Sequence, residues 1–243
     1  MDDMVKTLCI VQARLTSTRL PNKVLMELGG TGLSIAEHIN QRLNSSKLID
    51  QVLFAIPDTS SNDLLADFFS IHKISYIRGS ENNVLDRFYQ TALQYQPEVI
   101  VRATCDNPFV DWEQLDALIS NLPGNDYVSS LGAPLGSSAE VFYAKALLEA
   151  HENAQTDVEL EHVTPYIYRH PELFKVTKVP YHLNVEKERY RLTVDTELDF
   201  EVVDTLYKVL YKGQPVKNVD VYDYLEAHPA IREKNIEVVQ KTI

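Results

Sequence analysis

Arg14, Arg19 and Lys23, with the hydroxyls of Ser17 and Thr18, crowd residues 13–23 directly after an apolar run. Guanidinium groups grip phosphate oxygens bidentately and an ammonium adds a compact charge. The chemistry this segment suits is the binding of a nucleoside triphosphate. The plain alternative is a solvated basic loop. Against it stands the rest of the chain, where 23 Lys+Arg face 35 Asp+Glu for a formal charge of −12. A cationic cluster in an acidic protein is placed to attract something specific. The loop is not a Walker loop, because it lacks that motif's glycines and Lys23 precedes Val24 rather than Ser or Thr. Hydrolysis by that mechanism is not expected.

Two acidic groups supply the complementary chemistry. Asp106, in Thr104-Cys105-Asp106-Asn107-Pro108, is either a magnesium ligand, since that ion takes a few carboxylates plus phosphates and water, or a turn-forming residue before proline. Asp195, in Val194-Asp195-Thr196-Glu197-Leu198-Asp199, is either a second carboxylate for the same ion or, with Thr196, a helix cap. A basic loop and two strand-end aspartates count for more together than singly. Glu161-His162 falls on an expected helix, where a lone His is commonly structural. Glu140 and Arg191 are candidates for contacting a polar substrate, and Asp86-Arg87 is either a local ion pair or faces the nucleotide. Cys105 reads as packing rather than as a nucleophile, because no base is in register with it.

These groups need a scaffold that brings strand ends together. Leu8-Cys9-Ile10-Val11, Val52-Leu53-Phe54-Ala55-Ile56, Ile74-Ser75-Tyr76-Ile77 and Val99-Ile100-Val101 are apolar runs that predict buried parallel strands. Helical spacing predicts helices over 34–43, after a cap at Ser60, Ser61 or Asp63, and after Ser80. Alternation of this kind implies right-handed crossovers and a mostly parallel sheet, with ligands outside the carboxyl ends of the strands. The second half is less regular. Strands are predicted at 127–128, 140–143, 174–176 and 191–194, helices at 144–154, 158–168 and 197–211, and a helical stretch around 221–225. One domain is expected over 1–243, with a loop-rich subregion at about 125–190.

Composition narrows the classes further. Hydrophobic residues are 44% and charged residues 24%, which is ordinary for a globular protein. No apolar run reaches membrane-spanning length, and the acidic start at residues 1–6 lacks the plan of a secretory leader, so a cytoplasmic protein is expected. Two cysteines are too few for a disulfide framework or a zinc site. The acidic balance speaks against nucleic acid as a partner.

Gln12-Ala13-Arg14 through Ser17-Thr18-Arg19-Leu20-Pro21-Asn22-Lys23 resembles the nucleotide-binding signature of the sugar-acid cytidylyltransferases, the 3-deoxy-manno-octulosonate and acylneuraminate enzymes. It is most similar to their spore coat polysaccharide biosynthesis protein F subgroup. Gly79-Ser80-Glu81 with Val84-Leu85-Asp86-Arg87, Arg102 with Asp106-Asn107-Pro108, Glu161-His162-Val163-Thr164-Pro165 and Arg191 through Thr196 with Asp199 continue the likeness. The resemblance implies an α/β, Rossmann-like nucleotidyltransferase fold that binds CTP, a sugar acid and Mg2+, releases pyrophosphate and pairs as a homodimer through its second half. It implies that Ala13, Arg14, Ser17, Arg19, Lys23, Asp86, Arg87 and Thr104 contact the nucleotide. Arg19, Lys23, Asp106 and Asp195 are then the catalytic residues, and Asp106 and Asp195 hold the metal. Glu140, Glu161, His162 and Arg191 lie near the sugar. One departure from the octulosonate enzymes is Thr104-Cys105-Asp106 in place of Gln-Gly-Asp. Two rivals stay open: another nucleotidyltransferase or a sugar-nucleotide-dependent glycosyltransferase, and a nucleotide-binding protein without turnover.

Overall fold

The apolar runs of the first half become four parallel strands, β1 (Thr7–Gln12), β2 (Gln51–Pro57), β3 (Tyr76–Gly79) and β4 (Val99–Thr104). A computed structural model describes residues 6–240. Residues 1–5, on which the reading of the N-terminus rests, lie outside it, as do 241–243. Leu8, Ile10, Leu53 and Ile100 pack on one face of the sheet and Cys9, Val11, Phe54 and Val101 on the other. Burial on both faces is the reason the runs are continuously apolar.

The second half adds β5 (Tyr127–Leu131), β6 (Glu140–Tyr143) and β7 (Val176–Pro180). The sheet runs β3-β2-β1-β4-β6-β5-β7, with β6 antiparallel to both of its neighbours and β7 parallel to β5 at the edge. The helices are α1 (Ile35–Leu43), α2 (Asp63–Ile71), α3 (Val84–Tyr95), α4 (Trp112–Ser120), α5 (Ala144–Asn153), α6 (Asp157–His162), α7 (Pro165–Arg169), α8 (Glu197–Leu210), α9 (Asn218–Ala227) and α10 (Pro229–Arg232). Ile35 and Ile39 of α1, Phe69 of α2, Leu115 of α4, Val203 of α8 and Val221 of α9 cover the Val11 face, and α3, α5 and α7 cover the Ile10 face through Phe88, Leu147 and Ile167. No helix among the described residues is long and apolar enough to cross a membrane.

Several local expectations are corrected. The helix expected after Ser80 starts at Val84, and its cap is Asn83, whose side chain accepts from the Asp86 N–H. At α2 the cap position belongs to Asn62, which turns its side chain elsewhere. The helix expected over 158–168 breaks into α6 and α7 at Val163, where φ is +70°. There the Thr164 N–H donates to the His162 carbonyl at 2.8 Å, closing a γ-turn, and Pro165 opens α7. Residues 191–194 are extended but do not join the sheet as a strand, making only an isolated parallel bridge between Arg191 and Leu135. They lie instead on the 131–138 loop at Gly136, where φ is +93° and an added Cβ would stand 2.4 Å from the Thr193 nitrogen. Glycine is required there on both counts.

Candidate active site

β1 lies between β2 and β4, so the chain leaves its carboxyl end where the sheet order reverses. A crevice opens at such a switch point. The basic loop that follows β1 is pinned there by the Leu15 N–H, which donates to Oδ1 of the fully buried Asn62 at 2.9 Å, and by the Asn22 N–H, which donates to the Leu15 carbonyl at 3.1 Å. Asn22 then takes the left-handed conformation, φ 58°, which Asn tolerates better than most side chains. Lys23, the first residue of a short 3₁₀ turn, is only 7% exposed.

The two acidic stretches are tied together by backbone. The Val194 N–H donates to the Asp106 carbonyl at 2.7 Å and the Thr193 hydroxyl donates to it at 3.2 Å. The Lys23 ammonium reaches both stretches, donating to the Val194 carbonyl at 2.6 Å, to Asp195 Oδ1 at 3.1 Å and to Asp106 Oδ2 at 3.5 Å. Arg19 Nη2 sits 2.9 Å from the same Asp195 oxygen. Residues 13–23, 104–108 and 191–199 therefore meet on one rim, as the sequence requires of a site. Thr104 Oγ1 donates to Asp106 Oδ1 at 2.5 Å and receives Asn107 Nδ2 at 2.8 Å, which fixes the Asp106 carboxylate from its other side. The ammonium between the two carboxylates marks a space that takes positive charge. Two carboxylates, with further positions left to phosphate and water, suit a hard divalent ion.

Arg191 is placed differently from its expected role near a sugar. It is 5% exposed and lies behind Asp195, with Nη2 3.1 Å from Asp195 Oδ2 and Nε 2.7 Å from Asp199 Oδ1. Asp199 also caps α8 with Thr196 in a capping box. Burial raises the Asp199 carboxyl, but hydrogen bonds from Arg191 and Asn235 outweigh it and hold the pKa below the usual range. Thr196 is thus the helix cap, and Asp195, itself only 5% exposed, turns Oδ1 toward Lys23 and Arg19. In all, Lys23, Arg19 and Arg191 balance Asp106, Asp195 and Asp199.

On the opposite face of the sheet lies a second polar group. Arg102 Nη1 and the Tyr127 hydroxyl donate to Glu140, the Thr164 hydroxyl donates to it at 2.8 Å, and Arg102 Nη2 donates to Gln12 Oε1 at 3.0 Å. Glu140 is therefore filled from inside the protein. Arg102 Nε is buried without a partner among the described residues. Arg14 pairs at 3.7 Å with Glu161. Burial lowers the His162 pKa, with Arg102 and Arg14 adding to the effect against Glu161 and Glu140, so the ring is neutral at pH 7. Arg87 is buried, donates from Nη1 to the Ser80 carbonyl at 3.0 Å, and is lowered to about 10 by burial and the nearby Arg14. Arg14 and Arg87, whose charges act on one another, are the groups here suited to an anion. Asp86 is not among them, since it faces α5 and meets His151 Nε2 at 3.0 Å. Ala13 is buried, and Ser17 Oγ accepts weakly from the Leu20 N–H at 3.4 Å.

Cys105 is buried, which pushes its thiol well above the usual range and leaves it a packing residue. Asp111, Glu113 and His182 gather elsewhere, but Asp111 already accepts from Tyr181, His182 and the first turn of α4. Asn62 and Asn235 carry no signal in spacing, because their partners lie 47 and 44 residues away along the chain.

The seven-stranded, mostly parallel sheet flanked by helices is the nucleotidyltransferase fold of solved cytidylyltransferases. A solved cytidylyltransferase from Leptospira borgpetersenii serovar Hardjo-bovis superposes with a TM-score of 0.85 at 26% identity, covering 98% of this chain and 100% of that one. The chain belongs to the cytidylyltransferase family, whose profile matches residues 8–234. It is 37% identical to the spore coat polysaccharide biosynthesis protein SpsF of Bacillus subtilis, over 91% of this chain and 95% of that protein. It is 24% identical to a 3-deoxy-manno-octulosonate cytidylyltransferase of Chloroherpeton thalassium, over 83% and 94% of the respective chains.

Proposed function

We propose that this protein transfers CMP from CTP to a hydroxyl of a sugar acid and releases pyrophosphate. The observation that carries the reading is the meeting of Arg19, Lys23, Asp106 and Asp195 at the β1/β4 switch point. Membership of the cytidylyltransferase family supports CTP as the donor. The likeness to an octulosonate enzyme and to a polysaccharide biosynthesis protein supports a sugar acid as the acceptor.

In this reading Arg19 and Lys23 turn from the aspartates to the β- and γ-phosphate oxygens, and Arg14 and Arg87 hold the nucleotide from the other side of the β1 loop. The acceptor hydroxyl oxygen forms a bond to the α-phosphorus and yields its proton to solvent while the bond from the α-phosphorus to the oxygen bridging it to the β-phosphate breaks, a displacement that depends on positioning and charge neutralisation. The resting cluster is already balanced in charge, so an incoming triphosphate calls for an added cation, and Asp106 and Asp195 are the residues to hold Mg2+. When bound, that ion supplies charge neutralisation on the transferred phosphate and the departing pyrophosphate. Glu161, neutral His162 and the unpartnered Arg102 Nε are assigned to the acid. The expected homodimer fits β7, an edge strand with Leu131 exposed at the end of the neighbouring β5. A cytoplasmic setting belongs to this reading, since CTP is its donor.

The test is a panel of nucleoside triphosphates against pooled nonulosonic and octulosonic acids, read as magnesium-dependent pyrophosphate release. CTP with a sugar acid is expected to give pyrophosphate. Release of a nucleoside diphosphate from a sugar nucleotide would make the protein a glycosyltransferase, and CTP binding without product from any acid would make it a binding protein.

A further inference from the structure

The chain returns to the site once more, after α10. Asn235, fully buried, donates from Nδ2 to the Arg191 carbonyl at 3.0 Å and to Asp199 Oδ1 at 2.9 Å. Both partners are acceptors, so the amide nitrogen must face them. Its own Oδ1 is buried with no partner among the described residues. An amide kept buried with its acceptor unused is there for its two donors. Further along, Gln240 Oε1 accepts from Arg191 Nη1 at 2.8 Å. Arg191 therefore has its carbonyl and one end of its guanidinium held by residues 235–240, and its other nitrogens held by Asp195 and Asp199.

The same segment lines a groove of about 390 Å³ together with Leu135, Tyr190 and Arg191. Removing the segment would open the guanidinium to water, where an ion pair with Asp195 is screened and its geometry loosens. Arg191 is what holds Asp195 Oδ2, which leaves Oδ1 toward Lys23 and Arg19.

We infer that residues 235–240 are a working part of the site: Asn235 is a positioning residue that, through Asp199 and Arg191, fixes the Asp195 carboxylate for the divalent ion of the nucleotide complex. The inference rests on the functional reading above. It predicts that Asn235 matters for the metal's contribution to nucleotide binding more than for the grip of the basic loop, which meets Asp195 but, among the described residues, none of Asn235, Arg191 and Asp199.

The experiment measures the affinity for CTP by calorimetry with Mg2+ and again in EDTA, without acceptor, in the parent protein and in Asn235→Ala. Partners that orient a metal ligand are worth about tenfold to a hundredfold in metal affinity. The gain in CTP affinity produced by Mg2+ should accordingly shrink about tenfold or more in Asn235→Ala, while affinity in EDTA stays within about twofold of the parent. Gln240→Ala, at an exposed end of the same arm, should move the magnesium gain in the same direction by a smaller factor, and it carries the test should Asn235→Ala not fold. Lys234→Ala, which removes only a surface ion pair with Glu201, should change neither affinity. An unchanged magnesium gain, or a loss shared equally with and without metal, overturns the inference and leaves the functional reading standing. A parent protein that does not bind CTP overturns both.

Discussion

Lys23 concentrates the chemistry of the site in one atom. Its ammonium is nearly sealed from solvent, yet it has three oxygen partners from two stretches of chain far away in sequence. A buried charge persists only when so paired. The same pairing holds it fixed at the rim, from which, in the proposed reaction, it turns to the triphosphate when CTP binds. Loss of one preorganised charge donor typically costs about 10²–10³-fold in kcat, and Lys23→Ala should show that fall in steady-state pyrophosphate release. Full activity would remove Lys23 from the reaction. That Arg19, Lys23, Asp106 and Asp195 come together was legible in the sequence through their conjunction, a basic loop and two aspartates each following an apolar run, though either aspartate alone reads equally as a turn or cap residue. The place of Arg191 was not. An arginine that binds a substrate and one that braces a carboxylate look alike until burial and the partner Asp199 are known.

At the scale of elements, α1 and α8 show how the scaffold holds the site. α8 starts at the Thr196 and Asp199 cap, directly after Asp195, and packs its Tyr207 against His38 of α1 with ring centroids 4.1 Å apart. His38 is buried, meets the Thr31 hydroxyl at 2.9 Å, and is lowered by burial from 6.5 to about 4. The unfolded chain takes up a proton below about pH 6.5 and the folded one only near 4, so stability falls as pH drops through that window. The full effect is about 3 kcal/mol. Urea unfolding between pH 7 and 4 should show this decline, and His38→Gln should flatten it; an equal slope in both proteins would assign the loss to other groups. The periodic elements of the first half were legible because continuous apolar runs and helical spacing report burial directly. The break at Val163 was not, since a β-branched residue at positive φ is a poor guess from local preference. Nor was the loss of residues 191–194 from the sheet, because the Gly136 loop and the Asp106 carbonyl take up the hydrogen bonds that a strand would need.

The whole molecule carries a formal charge of −12, and its one conspicuous basic loop is neutralised at rest by its own carboxylates. The sequence pointed to a cationic cluster waiting for an anion. The folded site is instead a balanced set of charges, which in the proposed reaction exchanges internal partners for a metal-bound triphosphate. That balance could not be read from composition, because it depends on a fold that brings residues 13–23, 104–108 and 191–199 to one crevice and a C-terminal segment that braces it from behind. The most direct test is a crystal structure with CTP and Mn2+, with the metal located by anomalous scattering. The account predicts a single strong peak within coordination distance of carboxylate oxygens of both Asp106 and Asp195 and of a triphosphate oxygen, with Lys23 and Arg19 on the phosphates. A metal bound away from either aspartate, or a triphosphate that leaves Lys23 untouched, would contradict it.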